Sequence, residues 1–167
     1  MKSTTHKSKR ATLLGPLPEC PYLESCTALR VRFSEVDALQ VVWHGHYANY
    51  FEEARRAFGR QYGVDYPVFL ENRVAVPVVQ LSVDYFAPAR LNDLLEIKTR
   101  LLKSEAAKLI FEFEIRREGE TSLLVCGRTV QVFTTLVGEL ILAWPQFMEE
   151  RLAAWESLWK KPSDPPG

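Results

Sequence analysis

The sequence predicts an α+β domain in which one long helix lies against one face of an antiparallel sheet. Three features carry that expectation: a strand-like run early in the chain, an aromatic stripe at helical spacing after it, and four runs rich in β-branched residues beyond. A chain of 167 residues has room for one such domain, since compact domains commonly hold roughly 100–200 residues.

The elements follow in order. In Thr27 to Ser34, TALRVRFS, apolar residues partly alternate with Arg30 and Arg32, as in a half-buried strand. Tyr47, Tyr50, Phe51, Ala54, Phe58 and Tyr62 then recur at three- and four-residue steps, while Glu53, Arg56 and Arg60 fall off the stripe. That pattern predicts an amphipathic helix of about four or five turns, and Gly63 stands where a left-handed residue ends it. Past an irregular segment around Pro67, the runs VAVPVVQLSVDYF, LLEIKTRLL, KLIFEFEIRR and SLLVCGRTVQVFTTL read as four strands. Their connectors, PARLND, KSEAA and REGET, are short enough for antiparallel neighbours. Met148, Leu152, Trp155 and Trp159 repeat at helical spacing in a last helix. The expected boundaries are a flexible tail over residues 1–24, the folded domain over 25–160 and a frayed end over 161–167. A sheet of this kind has exposed edge strands, and pairing them across a two-fold axis predicts a homodimer, with a dimer of dimers also open.

Composition narrows the function. Lys and Arg number 21 and so do Asp and Glu, so the overall field favours neither nucleic acid nor an anionic membrane. No run approaches the roughly 20 apolar residues of a membrane span, and the basic start of the chain is broken by Gly15, Pro16 and Pro18, unlike a signal peptide. Cys20, Cys26 and Cys126 form neither a disulfide framework nor a metal-ligand spacing. A cytoplasmic protein is expected.

The most informative stretch is VRFSEVDALQVVWHGHYANYFEEARRAFGRQYG, from Val31 to Gly63. Glu35, Asp37, Val41, Val42, Trp43, His44, Tyr47, Glu52, Ala54 and Arg55 stand in register with a pattern of acid-x-Asp, a short turn, V-V/aromatic-His, Tyr and E-x-A-R. In this the chain resembles the 4-hydroxybenzoyl-CoA thioesterase branch of the hotdog superfamily, which includes small bacterial acyl-CoA thioesterases. The likeness continues through VDYFAPARLNDLLEIKTRLL, where Asn92-Asp93 replaces the usual Gly-Asp, and covers roughly residues 27–137. Gln40 replaces the Gly that the family's turn carries three residues after the Asp. A Gly there tolerates a positive φ that Gln accepts only with strain, so either the turn differs or Gln40 reaches into the site.

The resemblance implies a hotdog fold, a five-stranded antiparallel sheet wrapped around the long helix, and hydrolysis of an acyl- or aroyl-CoA thioester at a dimer interface. It implies Asp37 as the catalytic carboxylate, acting as nucleophile or as general base on water, and a backbone N–H at the helix start as oxyanion donor. His44 is expected at that start, beside the thioester. Gln40, Trp43, Tyr47, Glu52 and Arg90 are the substrate-binding candidates. Acyl-CoA is the expected substrate, with acyl carrier protein as the second candidate carrier, and neither a cofactor nor a metal is expected.

Plainer readings stand beside these. A carboxylate after a strand is commonly a turn former, and Glu35 reads as a solvated or loop-stabilising charge. Tyr47, Tyr50 and Phe51 follow the core stripe, and Glu52 and Arg55 are spaced to pair with each other. His44 and His46, two apart, point to different helix faces, which disfavours a shared metal. For the CoA phosphates the cations at hand are Arg90, Lys98, Arg100, Lys103 and Lys108. Two other functions stay open: a hydroxyacyl-thioester hydratase or dehydratase, and a non-catalytic acyl-thioester binding protein.

Overall fold

A computed structural model describes residues 20–161. Strand β1 spans Tyr22–Arg30, and a single 3-10 turn, Phe33–Glu35, leads into the long helix α1, His46–Tyr62. Helix α2, Tyr66–Glu71, precedes β2 (Val74–Ala75), β3 (Val78–Tyr85), β4 (Leu94–Leu102), β5 (Lys108–Arg117), β6 (Leu123–Thr135), β7 (Leu140–Ile141) and helix α3, Gln146–Ala154. All pairings are antiparallel. The five long strands run in the order β1-β4-β5-β6-β3, and the two-residue strands β2 and β7 both join the far end of β6. The sheet and helix therefore have the wrapped arrangement expected, with two short strands added.

Helix α1 lies in the concave face because its aromatic stripe meets a matching set on the sheet. Phe51 stacks on Phe113 with ring centroids 4.6 Å apart, and Phe58 meets Phe111 edge-on at 5.3 Å. Tyr47, Phe51, Ala54 and Phe58 are all buried, together with Leu95, Ile97, Ile115 and Phe133 from the sheet. The close approach needs a glycine: a Cβ on Gly127 of β6 would lie 2.3 Å from Phe51 Cε2 and 3.0 Å from the Ser82 carbonyl oxygen. Gly63 ends α1 at φ 73°, and its N–H donates to the Gly59 carbonyl, as its position predicts.

Four local expectations shift. Strand β1 begins at Tyr22 and ends at Arg30, earlier than the Thr27–Ser34 run, because its partner β4 holds it from Tyr22 opposite Leu102 to Arg30 opposite Leu94. The domain accordingly includes Tyr22 to Glu24, while residues 1–19 of the expected tail lie outside the described residues. The segment around Pro67 is helix α2, capped by the Asp65 carboxylate, which accepts from the Tyr66 N–H. The run VAVPVVQLSVDYF is split into β2 and β3 around Pro77. The last helix stops at Ala154, because Lys160 exchanges two backbone hydrogen bonds with Tyr22 and draws the chain onto the sheet edge. Residues 162–167 lie outside the described residues.

Candidate active site

The chain between β1 and α1 folds back on itself around Asp37. Val36 and Val42 form an antiparallel bridge, and the Asp37 N–H donates to the Val41 carbonyl at 2.9 Å. Inside this tight turn the Gln40 N–H donates to the Asp37 carbonyl at 3.0 Å. The Asp37 side chain takes part through one oxygen: Oδ1 accepts from the Leu39 N–H at 2.8 Å and, at 3.4 Å, from Val41. Oδ2 has no hydrogen-bond partner among the described residues, and Asp37 is only half-buried. One oxygen thus orients the carboxylate and the other is presented.

Gln40 resolves the question raised by its identity. It adopts φ 62°, so the turn keeps the left-handed conformation that a glycine would have taken, with the side chain exposed. Asn92, the second residue standing in a usual Gly position, does the same at φ 67°. Both substitutions change the side chain and preserve the backbone path.

The rest of the strap is tied to three separate parts of the fold. Glu35 accepts from the Arg32 N–H and from the Tyr50 hydroxyl of α1, both at 2.8 Å, and its carbonyl accepts from the Trp43 N–H. Burial, and the hydrogen bond given to Glu35, hold the Tyr50 phenol protonated far above its ordinary range. Val41 bridges Arg90, and the Val42 N–H donates to the Ala89 carbonyl at 2.9 Å. The Tyr47 hydroxyl accepts from the Ala89 N–H at 3.0 Å, and the Tyr85 hydroxyl donates to the His44 carbonyl at 3.0 Å. Glu35 is therefore a loop-stabilising residue. Tyr50 and Tyr85 are supporting groups that the sequence alone does not single out, since their partners are 15 and 41 residues away.

His44 lies just outside the helix, not at its first residue. Helix α1 starts at His46 with Gly45 as N-cap, no side chain caps it, and no acidic residue sits in its first turn. The His46 N–H donates to the Trp43 carbonyl at 2.9 Å, and beyond that bond the start of the helix has neither a side-chain cap nor an acidic residue to offset the positive end of the dipole. His44 is exposed, and the Trp43 ring, half exposed, packs over Gly45, where a Cβ would collide with the indole. His46 turns instead to Asn49, whose amide is 3.2 Å from its Nδ1. Among the described residues no group of three or more His, Cys, Asp or Glu side chains could hold a metal ion.

Glu52 sits on another part of α1. Arg55, almost fully buried, donates to both of its oxygens at 2.9 and 2.6 Å, and the Tyr66 hydroxyl gives a third, short hydrogen bond. Burial pushes the Glu52 carboxyl up, but these donors outweigh it and leave the group below its ordinary value. Glu52 also faces two neighbouring clefts. One, about 170 Å³, is lined by Ala48, Phe51, Glu52, Arg55, Leu81 and Thr129 among others; a wider one lies beyond it toward Tyr66, Gln131 and Leu136. Asp37, Trp43 and His44 line neither cleft in a single chain. The arrangement therefore brings Asp37, Gln40 and Arg90 together at one place, keeps Tyr47 as a buried support, and puts Glu52 in the cleft wall.

A sequence profile of the thioesterase-like superfamily matches residues 31–152, from the end of β1 to α3. The chain belongs to that superfamily. Among its relatives, an acyl-CoA thioester hydrolase, YbgC, of Escherichia coli is 35% identical over 95 residues, 57% of this chain and 71% of that one. The acyl-CoA thioesterase YbgC of Haemophilus influenzae is 31% identical over 113 residues, 67% of this chain and 81% of that one. The crystal structure of a hypothetical protein from Thermus thermophilus superposes with a TM-score of 0.69 at 34% identity, covering 78% of this chain and 98% of that one. The hotdog fold expected from the Val31–Gly63 motif is thus the fold of the superfamily member described above.

Proposed function

We propose that this chain hydrolyses the thioester of an acyl- or aroyl-coenzyme A, with water, to the free acid and the CoA thiol, and that Asp37 is its catalytic carboxylate. The observation that carries the reading is the Asp37 turn: Oδ1 is fixed by the Leu39 N–H while Oδ2 is presented. From that position the carboxylate attacks the carbonyl carbon, expelling the thiolate and leaving an anhydride for water to open, or it takes a proton from an attacking water. Either route puts negative charge on the carbonyl oxygen, and the uncapped N–H groups of α1 are the donors for it. Membership of the superfamily and the likeness to two acyl-CoA thioesterases support thioester hydrolysis as the reaction.

A second copy of the chain completes the site in this reading. Strand β3 is bonded to β6 on one side only, and Val78, Val79, Leu81 and Tyr85 along it are about half exposed. A β3–β3 contact across a two-fold axis covers that apolar edge and walls the cleft beside Leu81. Arg90 is the cation we assign to the CoA phosphates: it is exposed, joined to the Asp37 strap through Val41, and its guanidinium is in no ion pair among the described residues. Arg100 and Lys103 are engaged with Glu24, Glu114 and Glu156. A reducing cytoplasm suits the three free cysteines.

The left-handed turn kept at Gln40 supports an Asp37 presented as in a catalytic strap rather than a strap remodelled for binding alone. The deciding experiment is thiol release from a panel of acyl- and aroyl-CoAs by the parent and by Asp37→Ala and Asp37→Asn. Turnover by the parent and a loss of roughly 10²–10³-fold in kcat for both variants is expected. Unimpaired turnover by a folded Asp37→Ala protein would refute the assignment.

A further inference from the structure

The cleft under α1 is apolar at one end and polar at the other. Ala48, in the first turn of the helix, opens it, and Phe51, Leu81 and Phe113 form its walls. Thr129 lies toward the far end, with Val78 beyond it opposite Gln131, as register and packing place it. Gly127 and its partner Phe113 are level with Phe51, which stacks on Phe113. Phe111, the β5 partner of Thr129, is level with Phe58. Thr129 thus lies beyond the level of Phe51, toward that of Phe58, where it lines the cleft together with Arg55, and Leu81 stands opposite it on β3.

Its hydroxyl is out of place as packing. Thr129 is 7% exposed, lines the cleft, and its Oγ1 has no hydrogen-bond partner among the described residues. Valine has the same shape without the cost of desolvating a hydroxyl. The neighbouring polar groups do not need it, since Glu52 and Arg55 are bonded to each other.

We propose that Thr129 Oγ1 recognises a hydroxyl at the far end of the acyl group, so that the cleft selects hydroxyacyl thioesters over unsubstituted ones. The inference rests on the thioesterase reading above and adds a specificity residue to it. The length follows from α1: Ala48 to Arg55 is about two turns, roughly 10 Å. With C–C bonds of about 1.5 Å, an extended eight-carbon acyl chain spans such a distance. A threonine hydroxyl both donates and accepts, which matches the two roles of a ligand hydroxyl. A benzoyl ring bearing a para hydroxyl is too short to reach Thr129 from a carbonyl held at the start of α1.

The test compares kcat/KM for 8-hydroxyoctanoyl-CoA with that for octanoyl-CoA, in the parent protein, Thr129→Val and Thr129→Ser. The parent is expected to favour the hydroxylated substrate about tenfold, the scale of one neutral hydrogen bond. Thr129→Val should remove that preference and Thr129→Ser should retain most of it, with thermal melts showing all three folded. The ratio of 4-hydroxybenzoyl-CoA to benzoyl-CoA should not respond to Thr129→Val. A parent with no preference for the hydroxylated chain, or a preference that survives Thr129→Val, overturns the inference while leaving thioester hydrolysis standing. Hydrolysis of other acyl-CoAs but of neither octanoyl substrate overturns it too. A folded parent that cleaves no acyl-CoA at all overturns the thioesterase reading itself.

Discussion

Replacing Gly127 by alanine tests how tightly α1 is held in the sheet, and hence how well the cleft wall is defined. The added methyl would lie 2.5 Å from Phe51 Cζ and 3.0 Å from the Ser82 carbonyl oxygen, against an optimum of about 3.5–4.0 Å between carbons. Relief requires the Phe51 ring to move by about 1 Å or more, yet its other face is stacked on Phe113 at 4.6 Å. Overpacking of this kind costs about 2–3 kcal/mol, equivalent to a fall of about 5–10 °C in Tm for a chain of this size. The discriminating measurement is a double-mutant cycle by thermal or urea unfolding. Phe51→Ala alone should cost about 3–5 kcal/mol, and adding Gly127→Ala to it should cost about 1 kcal/mol or less, since only the Ser82 contact remains. The coupling is then about 2 kcal/mol. An equal penalty for Gly127→Ala in both backgrounds would show that Phe51 is not what the glycine accommodates.

The strap and the charged groups give three more expectations. Tyr85→Phe removes the donor to the His44 carbonyl and should lower kcat about tenfold through misplacement of the helix mouth while costing only about 1 kcal/mol in stability; steady-state kinetics beside a melt separates the two. Arg90→Ala should raise KM for CoA substrates several-fold with little change in kcat, and the effect should fade with added salt, as for an exposed phosphate contact. Glu52 is held below its ordinary pKa when folded, so the folded state binds its proton less readily than the unfolded chain does. Its contribution is complete above the unfolded carboxylate value of about 4.3 and is lost as pH falls through the lower folded value. Glu52→Gln should therefore flatten the acid side of a Tm-versus-pH curve; parallel curves for parent and variant would remove the ion pair from the account.

Legibility in the sequence followed the range of the interactions. Helix α1 and its glycine stop were readable because the aromatic stripe and Gly63 are local signals, and β4, β5 and β6 because β-branched residues fill them. The start of β1 was not, since YLESC has little strand character of its own and pairs only because β4 reaches Leu102. Helix α2 is too short for periodicity, though Asp65 and Pro67 were its visible caps. At the site, Asp37 and the left-handed turn could be anticipated from a motif in register. The hydroxyls that hold the strap could not, because Tyr50 and Tyr85 reach it across the fold, and Thr129 is one polar residue in an ordinary strand pattern.

The pairing of Tyr22 with Lys160 brings the two ends of the described chain side by side on β1, the opposite edge of the sheet from β3. Four strand spacings of about 4.8 Å separate these edges, roughly 19 Å. The described chain therefore enters and leaves the sheet on one flank of the fold, and the β3 edge with the cleft beside it lies on the other.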